Sequence, residues 1–418
     1  MLPVSLRFRI ACAKLLLCHL LLVAPLVAQI EITLTPSRDN TLYESPSGDL
    51  SNGAGDHFFT GTNNGGLVRR GLVAFDIAGN LPQGAQIQSV QLTLNMSRTV
   101  SGAVDVGLHR VTSDWGAGAS DADGEEGGGA PPQANDATWI HTFFPNQFWD
   151  SPGGDFVPSA SSSIAVSGNG PYSWGSNPSL VGDVQAWVDG SAPNFGWVLV
   201  GDESTSRTAK RFDSVENPTA AQRPQLTIVY DLEARIGLAL DAAVTGLEEG
   251  VFGVTLAYRV VNRGDAPLEQ IQVQNDLAQV FTGADISLIQ APQSTRFSVN
   301  PGFAGDQDID LLNGTDELLP GEEGSVVLEL RVEPTGTQTL FSNSAQASAI
   351  SSTGTFVSDT SQNGTDDDPD GNGNPGDNGD PTLVVLANGV VPTLGTAGLL
   401  ALIGGLVVLA VRQRKARR

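Results

Sequence analysis

Val251-Phe252-Gly253-Val254-Thr255-Leu256-Ala257-Tyr258-Arg259-Val260-Val261-Asn262 runs directly into Arg263-Gly264-Asp265. β-Branched and aromatic residues crowd the first stretch, and the second is a turn, so the pair reads as one long strand and its exit. Further strands are expected at residues 271–273, 325–332 and 342–350. Upstream, residues 30–34, 71–77, 87–96, 104–111, 195–201 and 226–230 are alternating or β-branched runs separated by glycine, asparagine and serine. One segment differs. Leu180, Val181, Val184, Trp187 and Val188 share one helical face, which predicts about two turns of helix. Many short strands with little helix predict an all-β fold, a β-sandwich or jelly roll.

The strand spacing divides the chain. Residues 29–231 are expected to form a first sandwich. Residues 232–352 are expected to form a second, immunoglobulin-like sandwich, given strands at this spacing over about 110–120 residues. That second stretch has neither cysteine nor tryptophan, which excludes the antibody-type core pin. Residues 353–391, rich in Asp, Asn, Gly and Pro, are expected to be an acidic disordered linker.

The two ends read as targeting segments. Residues 1–28 combine Arg7, Arg9 and Lys14 with an apolar run and small residues near Ala28, the pattern of a cleaved signal peptide. Residues 393–411 hold 19 uncharged residues, long enough for a transmembrane helix, and Arg412, Arg414, Lys415, Arg417 and Arg418 follow as a basic cytoplasmic end. The expectation is an exported protein held by one C-terminal helix.

Cys12 and Cys18 both fall in the signal, so the rest of the chain can form neither disulfides nor zinc–cysteine sites. All 46 acidic residues lie between the terminal segments, against 14 basic ones, a net charge near −32. Such a surface repels nucleic acid and attracts cations. Beyond the signal the histidines are His57, His109 and His141. They lack the spacing of a helical zinc pair, and no nucleophile elbow occurs, so no catalytic residues are assigned. Two carboxylate groups are candidate calcium sites, because calcium takes six to eight oxygens. Asp366, Asp368, Asp370, Asn372 and Asp377 follow the spacing of an EF-hand loop, with Asp for the terminal Glu and no flanking helices. Asp121, Asp123, Glu125 and Glu126 lie beside a glycine run. The alternative for each of these two is a solvated acidic loop.

All six tryptophans belong to the first domain. Trp187 and Trp197 lie on apolar element faces and are assigned to the core. Trp115, Trp139, Trp149 and Trp174 lie in or beside glycine-rich, acidic loops, where exposed rings could stack on sugars. The competing expectation is that they pin those loops down.

Three resemblances bear on function. Residues 39–44 (Asp-Asn-Thr-Leu-Tyr-Glu), 50–55, 70–77, 113–116, 189–197, 211–214 and 223–227 resemble, in order, the motifs of a DNRLRE domain. That resemblance implies a jelly-roll module similar to carbohydrate-binding modules, without catalytic activity. It also suggests a structural ion near Asp39, Asn52 and Asp56. Residues 256–268, with the later turn 319–322, resemble the immunoglobulin-like stalk domains of bacterial surface proteins. Val391, Pro392, Thr393, Leu394 and Gly398, followed by the apolar span and basic end, resemble an IPTL-type sorting tail, with Ala397 where tryptophan is usual. This implies the envelope or surface of a bacterium, with sorting machinery as a partner and release after sorting as the alternative to anchoring. Together they predict a non-catalytic surface protein that binds polysaccharide in adhesion or matrix attachment. The alternatives are a purely structural envelope protein and a glycan-active enzyme.

Overall fold

The computed structural model describes residues 29–386. The signal segment, the sorting motif Val391, Pro392, Thr393, Leu394 and Gly398, and the apolar span lie outside the described residues. Among the described residues no helix is long and apolar enough to cross a membrane.

The first unit is one curled sheet of 11 strands. Its longest strand, Gln86–Thr99, pairs with Gln225–Asp231, Gly170–Trp174 and Lys210–Asp213. Period-two alternation sends Ile87, Val90, Leu92, Leu94 and Met96 inward. The sheet curls because strand His57–Thr62 pairs with Lys210–Asp213 on one side and Val68–Ala74 on the other. The expected helix is present as Pro178–Val188, capped by the Asn177 side chain, with Leu180, Val184 and Trp187 buried against the core. Trp197 and Leu199 face that core, while Val198 and Leu72 face outward. Loop residues Val111, Trp115, Ala137 and Trp149 cover this outer face and form a second, smaller core with it. Gly196 lies at φ +74, and a Cβ there would meet the Val73 carbonyl oxygen at 2.1 Å. Only glycine suits so close an approach at positive φ.

Lys210 is fully buried in this unit. Its ammonium donates to Thr99 Oγ1 at 3.0 Å and to the carbonyls of Ser101, Gly102 and Ser167 at 3.4, 2.7 and 3.2 Å. Burial lowers its pKa, and the ring of carbonyl acceptors offsets the lost hydration of the charge.

The second unit is a sandwich of a five-stranded and a four-stranded sheet around one apolar core. Strand Val251–Asn262 has the bounds read from the sequence and sits centrally between Ile236–Glu248 and Glu323–Pro334. Its Phe252, Val254, Leu256, Tyr258 and Val260 side chains all enter the core.

Residues 353–386 correct the linker expectation. Phe356–Thr360 is the edge strand of the four-stranded sheet, and Thr382–Val385 pairs with Leu340–Asn343. Val384 and Leu386 join the second core. The physical reason is charge pairing. Asp367 is fully buried, accepts a two-pronged contact from Arg263 at 2.8 and 2.8 Å, and lies 3.0 Å from Arg259 Nη1. Arg235 bonds the Gly373 carbonyl. Three arginines of the sandwich thus anchor an acidic segment that could not fold alone.

Asp359, on strand Phe356–Thr360, is 4% exposed, and its carboxylate accepts from Leu238 N at 2.8 Å. Burial, aided by the Asp367 charge and opposed by backbone donors, raises its pKa from 3.8 to about 7. The folded state therefore holds this proton more tightly than the unfolded chain. Stability falls as pH rises from about 4 to about 7. Asp359→Asn keeps an acceptor for Leu238 without the charge. It is expected to flatten this pH dependence and to stabilise the protein at pH 8 by about 1–2 kcal/mol. Thermal melts at pH 5 and pH 8 provide the check.

Candidate functional site

The loop tryptophans do not form a sugar platform. Trp115 and Trp174 are 0% exposed and Trp149 is 5% exposed. Their indole N–H groups donate to the carbonyls of Phe195 (2.8 Å), Val106 (2.9 Å) and Thr138 (2.9 Å) respectively. Buried rings with satisfied N–H groups are pins. Trp115 and Trp149 hold the loop layer onto the outer sheet face, and Trp174 is part of the main core. Trp139 is half-buried, and the Arg70 guanidinium lies over its ring, 5.1 Å from the centroid.

The acidic loop at 121–126 is drawn apart. Asp121 and Asp123 are exposed. Glu126 turns inward and accepts from Asn52 Nδ2 and His57 N, both at 2.9 Å, with His57 Nδ1 at 3.0 Å. His57 Nε2 lies 3.4 Å from Asp213, so the imidazole bridges two carboxylates and clasps the loop to the sheet. Asp39, Asn52 and Asp56 do not form an ion cage. Asp39 is 1% exposed and accepts from Val215 N, while Asn52 bonds Glu126, the His57 carbonyl and Ala122 N. Burial first, then the Glu216 charge, pushes the Asp39 pKa well above its ordinary value. Asp366, Asp370, Asn372 and Asp377 are exposed, and Asp368 is buried. Among the described residues no three acidic, imidazole or thiol groups converge on a common point.

Glu125 leads to a different site. It bridges Arg98 and Arg211, each at 2.5 Å. These contacts, Arg98 first, hold its carboxyl below the usual range. Arg98, Arg211 and Phe59 are direct partners across three adjacent strands, so one row of the sheet carries two guanidiniums and a phenyl ring. The next row, Met96, Phe212 and Phe58, points into the core, which leaves the arginine row on the outer face. Like charges directly opposite repel, and Glu125 relieves that repulsion. Beside the row lies a cavity of about 220 Å³ lined by Phe59, Arg69, Thr99, Val100, Ala209 and the two arginines, among others. Arg69 is 4% exposed and has no carboxylate within 4 Å among the described residues. Its Nη1 donates to the Val68 carbonyl at 2.9 Å, its guanidinium lies 4.8 Å from the Tyr43 ring centroid, and its Nε has no hydrogen-bond partner. The cavity lining therefore sets three guanidiniums against the single Glu125 carboxylate, on an otherwise strongly acidic chain. A planar guanidinium fork suits carboxylate or sulfate oxygens.

This row was not read from the sequence, because pairing joins residues 59, 98 and 211. The available signal was an arginine next to an inward apolar residue in a chain poor in basic groups.

The chain matches no family model and no curated protein. Several solved structures show limited likeness, two of which illustrate it. One is Bacteroides uniformis β-glucuronidase 2 covalently bound to cyclophellitol-6-carboxylate aziridine: 11% identity, 79% of this chain, 32% of that chain, TM-score 0.17. The other is the Fcho1 Mu homology domain of Danio rerio with bound Eps15 peptide: 12% identity, 73% and 86% coverage, TM-score 0.18. The chain spans about a third of the glucuronidase's length. Scores this low carry no inference about this chain.

Proposed function

We propose that this chain is a non-catalytic surface protein of the bacterial envelope, in which a jelly-roll module binds an anionic polysaccharide and the second sandwich serves as its stalk. The carrying observation is the arginine row with its cavity. The region between the two terminal segments, near −32, repels polyanions overall, so a local cluster of three arginines beside an apolar floor is a feature that favours one. Glu125 serves as an internal placeholder for the ligand's acid group. The proposed C-terminal span and sorting tail put the module at the cell surface, as the charge pattern of the two ends supports.

The test uses residues 29–386 on immobilised acidic and neutral polysaccharides at stated salt. Arg98→Gln, an exposed substitution, is expected to lower affinity for the acidic polymer about tenfold. Glu125→Gln is expected to raise it, and added salt to weaken it. Absence of retention on any acidic polymer would overturn the proposal. That result would favour the purely structural alternative, to which the burial of Trp115, Trp149 and Trp174 lends weight.

A further inference from the structure

Leu340 faces Val385, and Ser342 faces Leu383, across the ribbon formed by Leu340–Asn343 and Thr382–Val385. The two strands alternate. Phe341, Asn343, Thr382 and Val384 are buried on the side of the second sandwich. Leu340, Leu383 and Val385 are 53%, 57% and 52% exposed, so the other face of the ribbon is aliphatic and open to water. The remaining large exposed apolar side chains, Leu67, Val100 and Phe148 among them, each lie on a different element or loop. Scattered singles are ordinary on a soluble surface, whereas three on one four-position face make a patch.

The place of this face in the chain points to what covers it. Leu386, the last described residue, is buried, and its N–H donates to the Thr339 carbonyl at 2.7 Å. The chain therefore leaves the sandwich right beside Leu340. From Leu386 to Thr393, where the proposed span begins, there are seven peptide steps, a reach of at most about 25 Å. Crossing the headgroup layer takes up about 5–7 Å of that. Charge is absent from the surroundings in sequence: residues 334–358 and 381–411 carry none. The turn 335–339 (Thr-Gly-Thr-Gln-Thr), which precedes the ribbon, is exposed and uncharged. Strand Glu323–Pro334 leads into that turn from its start opposite Val261, so the turn lies at the end of the sandwich away from Ala266, which packs into the first core. At the turn's end Glu248 and Glu333 both pair with Arg331, while Glu249 and Asp285 add negative charge.

We propose that the Leu340, Leu383 and Val385 face rests on the bilayer from which the C-terminal span emerges, with zwitterionic lipid as its partner. The inference rests on reading residues 393–411 as that span. Three half-exposed aliphatic side chains hold a free protein to lipid only weakly, but a tether this short makes the contact intramolecular. The acidic groups at the same end disfavour an anionic lipid surface. The consequence is orientation: a sandwich resting on lipid at one end holds the first unit at a restricted angle instead of letting it sweep around its tether.

The test uses residues 29–418 reconstituted in phosphatidylcholine vesicles. This stretch has no cysteine, so Ser342→Cys, in the middle of the face, takes a single small fluorescent label, and Phe356→Cys, 67% exposed and on the sandwich's edge strand, takes the same label as a reference. A quencher carried on the lipid headgroup is expected to quench the label at 342 several-fold more than the label at 356, without dependence on salt. Added anionic lipid is expected to weaken that quenching. Leu340→Glu with Leu383→Glu, both exposed positions, is expected to reduce it to the level at 356 with the melting temperature unchanged. Equal quenching at the two positions, or quenching that survives the double variant, would overturn the proposal. So would a label at 342 shielded from aqueous iodide yet untouched by the lipid quencher, which would assign residues 387–392 to the face. A response that scales with the protein-to-lipid ratio would assign the face to a second copy and overturn it too. Flotation separates the two readings: a chain that does not float with the vesicles overturns the span and this inference together, whereas one that floats without quenching at 342 overturns this inference alone.

Discussion

Trp174→Ala is expected to destabilise the first sandwich by about 3–5 kcal/mol, the range for removing a fully buried aromatic side chain. The ring is 0% exposed, packs edge-on to Phe212 with centroids 6.0 Å apart, and lies on a strand paired with Gln86–Thr99 opposite Leu92. Truncation opens a cavity between the sheet faces and removes the indole donor from the Val106 carbonyl. Neither loss is repaired by collapse, because its strand is held in register against Gln86–Thr99. Urea denaturation gives the measurement. A loss under about 1 kcal/mol, or a loss of polysaccharide retention without loss of stability, would return Trp174 to the role of a ligand contact. Trp174→Phe is expected to fall between the two, because it keeps much of the volume and loses the N–H.

Asp367→Ala is the second large effect, at about 2–3 kcal/mol on the second sandwich. Breaking a fully buried ion pair usually costs more, but here Arg259 and Arg263 are 30% and 32% exposed and regain hydration once released. Burial alone would raise the Asp367 pKa, yet the bonds from Arg263 outweigh it and hold the carboxyl below its ordinary value. Its contribution is therefore present above the ordinary carboxylate pKa and is lost as pH falls through the lower, folded value. The distinguishing readout is local. Limited proteolysis should cut within residues 353–386 in the variant and spare that segment in the parent. Uncut residues 353–386 in a destabilised Asp367→Ala would show that the segment is held by its strands rather than by this charge.

The contrast between these residues shows what was legible beforehand. Strand Val251–Asn262 could be read with its bounds, and helix Pro178–Val188 to within two residues, because periodicity is a local property. The loop tryptophans were harder. Glycine-rich acidic flanks suggest exposure, but the flanks of Trp115 and Trp149 fold back as a layer over Leu72 and Val198. Residues 353–386 were misjudged for a related reason. Composition describes a segment by itself, whereas this one is stabilised by Arg235, Arg259 and Arg263, more than 100 positions earlier. The arginine row was illegible because it exists only once three strands are in register.

Lys210 has a consequence at the bench and in the environment. Among residues 29–386 it is the sole lysine, and its amine is enclosed by Thr99, Ser101, Gly102 and Ser167. The folded surface of this region therefore offers no lysine amine. Succinimidyl dyes, aldehyde fixatives and lysine-directed cross-linkers have no side chain to attack there, and a protease that cleaves after lysine has no accessible site. Covalent capture of this protein on the proposed ligand is better directed at its many carboxylates, or at a lysine placed there by design.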